Sequence, residues 1–141
     1  MPELHRVDGI TAAWQRGAAY FIQRALDHAN GEFLLSDVEQ RVQSGAWQLW
    51  VVIEAGHIVG AATTQVVHYP QMAVCEVVFF SSSIPREEWL PLFGGGSEFE
   101  QWAKYVGCTR IMLHGRAGFE RMKPDHGYQK WYVCMGKTLA G

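Results

Sequence analysis

The chain has 141 residues and a net charge of −2, with 48% hydrophobic and 18% charged residues. That balance gives one globular domain over residues 1–141 with enough chain for a real core, and excludes a disordered polyelectrolyte. No basic run suits nucleic acid, no apolar stretch reaches a membrane span, and the start MPELHRVDG lacks a signal-peptide core. Neither a nucleic acid nor a membrane is therefore expected as partner. Cys75, Cys108 and Cys134 are odd in number and widely spaced, which fits reduced thiols in a cytoplasmic setting.

In chain order, Val7 to Ile10 reads as a short edge strand. Thr11 to Asn30 reads as a helix whose apolar face carries Ala18, Ile22, Ala25 and Ala29. Ser36 with Glu39 makes a capping-box pattern for a second helix that Gly45 ends. Ala46 to Glu54 is a strand apolar on both faces, hence covered on both sides. Ala55-Gly56 turns it into a return arm, His57 to Val67. Met72 to Phe80 is the next strand, followed by the irregular SSSIPREEWLPLF. Then come Gly94, Gly95 and Gly96, and a helix from Ser97. Phe99, Trp102, Ala103 and Val106 lie on one face of that helix, Ser97 and Glu100 form a capping box, and Gly107 stops it. Thr109 to His114 is a short strand, 115–122 a short helix, and Lys130 to Met135 a last strand. This order predicts an α/β fold with a mixed, mostly antiparallel sheet and helices on both faces.

The stretch from Val74 to Gly107 holds the strongest functional signal. A glycine-rich loop at a capped helix start offers backbone N–H groups to an anion such as a phosphate, although the same glycines also suit a plain turn. Glu76 lies inside an apolar strand, where a carboxylate must be paired, protonated or turned to a cleft. No His pair at ligand spacing and no C-x-x-C occurs, so no metal site is expected. G-x-S-x-G and Walker A loops are absent too.

Three stretches carry a resemblance to the GNAT family of N-acetyltransferases. They are the hairpin LWVVIEAGHIVGAATTQV, the strand–loop–helix from Val74 to Gly107, and the closing Gly127-Tyr128 with Met135-Gly136-Lys137-Thr138-Leu139. The run Gly115, Arg116, Gly118, Phe119 with Gly127, Tyr128, Lys137 and Leu139 also resembles small GNAT-like proteins common in tailed-phage genomes. Two family features differ here. The phosphate motif Q/R-x-x-G-x-G/A is replaced by an insertion and three glycines, and Lys123 stands where the family often has Tyr.

The resemblance implies an acyl-CoA-dependent N-acyltransferase using acetyl-CoA, with a small molecule or protein amine as acceptor. Glu76 is the implied base and His114 a proton relay. Tyr128 is a packing residue or an acid. Phe80 and Ser81 would offer backbone donors to the thioester where the central strands part. Gly94, Gly95, Gly96, Ser97 and Arg116 would meet the phosphates. The other reading is a GNAT-like protein without catalysis, a binding or structural component of a phage particle, located in host cytoplasm or virion.

Overall fold

The computed structural model describes residues 1–113, 127–131 and 134–140. A five-stranded sheet organises it, in the order β1 (Glu3–Val7), β2 (Trp47–Glu54), β3 (His57–His68), β4 (Ala73–Ser82) and β5 (Cys108–Leu113). β1 through β4 pair antiparallel, and β5 joins β4 parallel. That parallel step needs a crossover, and the helical segment between β4 and β5 provides it. The β2–β3 turn is Ala55-Gly56 with both φ angles positive, 52° and 79°, as a two-residue hairpin requires.

One sheet face carries α1 (Ala19–Leu26) and α2 (Leu35–Gln43). Phe21, Ile22, Ala25, Val38 and Val42 pack there on Trp47, Leu49, Val51, Ala61 and Phe79. The other face carries α3 (Arg86–Trp89), a 3₁₀ turn (Leu90–Phe93) and α4 (Glu98–Tyr105). Phe93, Phe99 and Ala103 pack there on Leu4, Trp50, Val52, Ala62, Cys75 and Val77. The alternation of β2 explains the two cores: Leu49 and Val51 point one way, Trp50 and Val52 the other. The mixed α/β sheet with helices on both faces is thus as expected.

Several elements differ from expectation. The edge strand is Glu3–Val7 rather than Val7 to Ile10: Leu4 is buried in the α4-side core, while Val7 and Ile10 pack partly buried against the other core. The long first helix is interrupted. Trp14–Ala18 is π-helical with a break at Gly17, whose Cα packs so closely on Ile58 that a Cβ would stand 3.1 Å from the Ile58 Cβ. α2 starts at Leu35, not Ser36. The carboxylate of Asp37 accepts the Leu34 N–H at 2.8 Å and fixes the start one residue early. The segment after β4 is helical, with α3 and the 3₁₀ turn in place of an irregular stretch. Of the expected last strand, Lys130, Trp131, Cys134 and Met135 are described, and all four stand outside any strand. The expected helix at 115–122 lies outside the described residues. Among the described residues, no helix is long and apolar enough to cross a membrane.

Candidate functional site at the tip of β4

β4 changes character halfway along. Ala73 to Val77 is flanked on both edges, by β3 and by β5, and the described part of β5 ends at Leu113 opposite Val77. The next residue, Val78, is extra: Thr64 faces Val77 and Thr63 faces Phe79, so β4 carries a bulge. A bulge bends its strand and increases the local twist. It also turns Val78 and Phe79 to the same face, which is why both belong to the core under α1 and α2.

Beyond the bulge the hydrogen-bond register is legible. The Ser83 N–H donates to the Val59 carbonyl at 2.8 Å, so Val59 and Ser83 form a hydrogen-bonded pair. By antiparallel alternation Gly60–Ser82 is then a non-bonded pair, Ala61–Ser81 a bonded one and Ala62–Phe80 non-bonded. The N–H groups of Phe80 and Ser82 therefore point towards the β5 side, whereas that of Ser81 points into β3. Of the two residues expected to offer backbone donors, Phe80 has the stated direction. Its neighbour Ser82, which the sequence reading passed over, shares it. Only the bulge and the register reveal that, and neither leaves a motif.

The side chains tie this tip down. The Ser81 hydroxyl donates to the Phe21 carbonyl of α1 at 2.5 Å, and the Ser82 hydroxyl donates to the Val59 carbonyl at 2.9 Å. The Phe80 ring packs on Trp89 at 4.7 Å and Phe93 at 5.3 Å between centroids.

Glu76 and Tyr128 are not brought together. Cys75 and Val77 point into the α4-side core, so alternation directs Glu76, half-buried, to the α1–α2 face. Tyr128 packs against the α4-side core instead. Its hydroxyl is buried with no partner among the described residues. Burial raises its pKa, and the Glu100 carboxylate and Cys75 add to the rise. Burial and the neighbouring Cys108 push the Cys75 thiol up to about 12, against a smaller lowering by a hydrogen bond with Thr64. Such thiols are protonated and inert at neutral pH. His114 and Arg116 lie outside the described residues.

The glycine loop begins after Phe93, which packs on Phe80, and leads away towards β1. A chain of ring contacts leads from Phe80 through Phe93 to Phe99, then to Trp50 on β2 and Trp102. At the helix start, Glu98 comes within 3.8 Å of His5 on the edge strand β1. β1 stands three strand spacings from β4, about 14 Å. The cap forms as expected: the Glu100 N–H donates to the Ser97 hydroxyl at 3.2 Å. The Glu100 carboxylate, however, faces the Gly96 N–H at 3.5 Å rather than closing the box on Ser97. Two carboxylates, Glu98 and Glu100, thus stand where an anionic ligand would meet the loop. Backbone donors suit a pyrophosphate, and these charges oppose it.

An open groove of about 500 Å³ runs beside α2, lined by Glu32, Phe33, Asp37, Gln40, Arg41 and Ser44. Among the described residues no group of three His, Cys, Asp or Glu side chains could hold a metal ion.

The sequence matches no protein-family model and no curated protein. Solved structures do match over almost the whole chain. An aminoglycoside acetyltransferase from an uncultured soil metagenomic sample superposes with a TM-score of 0.70 at 9% identity, covering 99% of both chains. Glucosamine-6-phosphate N-acetyltransferase from Arabidopsis thaliana gives 0.67 at 12% identity, again over 99% of both. A predicted acetyltransferase of Clostridium acetobutylicum, solved with acetyl-CoA, gives 0.60 at 12% identity over 98% of this chain and 96% of that one. The likeness lies in the path of the backbone, and the chain has the GNAT acetyltransferase fold.

Proposed function

We propose that the protein is an acyl-CoA-dependent N-acyltransferase that carries an acetyl group from acetyl-CoA to an amine. One observation carries the reading: beyond the Val78 bulge, β4 directs the N–H groups of Phe80 and Ser82 to the side on which β5 lies. Backbone N–H groups so directed suit the carbonyl of a thioester and the amides of an extended pantetheine arm. When bound, acetyl-CoA would supply the activated acetyl group. The chain's own part is then to orient that group against β4, hold the amine, and take up its proton.

Glu76 is the group we assign to the proton. It stands on the α1–α2 face, the face that also carries the groove lined by Glu32, Asp37 and Arg41. Tyr128, on the other face, with its pKa raised by burial, is available as a neutral hydroxyl donor. The phosphates would find partners in Arg116, and in Gly94, Gly95, Gly96 and Ser97 only if Glu98 and Glu100 swing aside.

Calorimetric titration with acetyl-CoA tests this, with a Gly95→Glu variant beside the native chain. Micromolar binding supports the reading. Loss of that binding in the variant moves the pyrophosphate to the glycine loop, and its retention leaves the phosphates with other residues. In an amine screen read by thiol release, Glu76→Gln should then lower turnover by about 10²-fold, as removal of a general base does. A cooperatively folded protein that binds no acetyl-CoA would end the enzyme reading. It would favour the alternative, a catalytically silent GNAT-like component with a protein partner such as a phage particle.

A further inference from the structure

The peptide unit joining Ser81 to Ser82 is held from three sides. Its carbonyl, that of Ser81, points into β3, since Ala61 and Ser81 form a hydrogen-bonded pair. Its N–H, that of Ser82, points the other way. In a planar trans peptide the two directions are locked together, so whatever fixes the carbonyl aims the N–H.

Three contacts do the fixing. Gly60 faces Ser82 in the narrow, non-bonded pair, and a Cβ there would stand 3.0 Å from the Ser81 carbonyl oxygen and 3.0 Å from the Ser82 Cβ. The absence of a side chain lets β3 close onto this peptide. The buried Ser81 hydroxyl donates to the Phe21 carbonyl, joining the strand tip to α1 across the layer. The Ser82 hydroxyl donates to the Val59 carbonyl at 2.9 Å and also accepts the Ile84 N–H at 3.2 Å.

We infer that Ser81 and Gly60 are positioning residues that aim the Ser82 N–H at a carbonyl of the acyl-CoA arm lying along β4. The inference rests on the acetyl-CoA reading above. Ser81 itself touches no ligand: its N–H and carbonyl are used by β3 and its hydroxyl by α1. A carbonyl accepting from Ser82 would need the N–H within a narrow cone, because hydrogen bonds weaken steeply away from linearity. Loss of the Ser81 anchor lets the peptide tilt while the sheet survives through its remaining pairs.

Amide exchange measured by NMR on ¹⁵N-labelled protein, with and without acetyl-CoA, tests the idea, together with acetyl-CoA affinities of Ser81→Ala and Ser81→Thr. In the native chain acetyl-CoA should slow exchange at the Ser82 amide by about 10-fold or more, as a hydrogen bond of about 1.4 kcal/mol would. Ser81→Ala, with its thermal midpoint within a few degrees of native, should lose that protection and bind acetyl-CoA about 5- to 10-fold more weakly. Ser81→Thr, which keeps the hydroxyl, should restore both. Native binding without protection at Ser82 overturns the inference, and so does a folded Ser81→Ala that keeps both affinity and protection. If Ser81→Ala fails to fold, the Ser82 exchange result in the native chain decides alone. Absence of acetyl-CoA binding by the native chain sinks the underlying reading and this inference with it.

Discussion

The β4 tip and the Gly94–Gly96 loop both rely on glycine and serine, and they are built in opposite ways. At the tip, Gly60 is a glycine because neighbours press on it, with the Ser81 carbonyl and Ser82 3.0 Å from where a Cβ would be. In the loop nothing lies within 4 Å of a Cβ placed on Gly95 or Gly96. Of these two, Gly96 alone needs its glycine, for a φ of 77°. The tip is rigid because the β3 pairing, α1 and the Phe80–Trp89–Phe93 rings converge on it. The loop is held by the Ser97 cap, by short-range hydrogen bonds within the stretch from Pro91 to Gln101, and by the packing of Phe93 against Phe99. A conspicuous glycine run thus marks a turn with carboxylates beside it, and a single inconspicuous glycine marks the tightest backbone approach in the candidate site.

That contrast breaks most visibly at Gly60. Gly60→Val places a branched side chain against the Ser81 carbonyl, and overpacking of a closed site costs about 1–3 kcal/mol. Urea denaturation should show a loss near the top of that range. A variant within about 0.5 kcal/mol of native, the range of ordinary surface changes, would mean that β3 and β4 can part at no cost. The tip would then be no more rigid than the loop.

The lower half of β4 offers the next test, through pH. Cys75 rises from an ordinary 9.0 to about 12 in the folded chain, chiefly by burial. A folded pKa above the unfolded one means that the native state holds the proton longer. Stability is therefore full below pH 9 and is lost as pH climbs from 9 towards 12. The slope for one such group is about 1.4 kcal/mol per pH unit inside that window. Cys108 and Tyr128 shift in the same direction, so the native slope exceeds one proton. Denaturation at pH 8 and pH 10 should show the loss, and Cys75→Ala should reduce it by about 1.4 kcal/mol. An unchanged slope in the variant would show that Cys75 meets solvent in the folded state.

How much of this was legible beforehand follows the physics of each feature. The hairpin, the parallel crossover and α4 were readable because turn chemistry and apolar period are local: Ala55-Gly56, Ser97 and Phe99 announce themselves. The first helix was overextended because its apolar spacing runs through Gly17, and only the approach of Ile58 from β3 explains the break there. Asp37 was passed over because Ser36 looked like the better cap, yet the acid three residues past Leu34 has the reach. Ser82 was missed while Phe80 and Ser81 were named. Which N–H faces outward depends on a register set by a bulge, and a one-residue step reverses it. Glu76 was noticed for its unusual setting. That Tyr128 sits across the sheet from it is a long-range fact that no local pattern carries.

The loop supplies the smaller effects. Ser97→Ala removes the acceptor for the Glu100 N–H and should cost about 1 kcal/mol in urea, the usual worth of an N-cap. Ser97→Asp, which keeps an acceptor, should hold the native value; equal loss in both would put the cap's worth in the Ser97 backbone instead. Gly95→Ala should do least. Its φ is outside the left-handed region and open space surrounds it, so a methyl group meets nothing and slightly restricts the unfolded chain. Stability within about 0.5 kcal/mol of native, with unchanged acetyl-CoA affinity, is the expected result. A large loss of affinity with stability retained would mean that a ligand presses on Gly95 as closely as Ser81 and Ser82 press on Gly60. The loop would then be shaped by what it binds, and Glu98 and Glu100 would have to turn away to admit it.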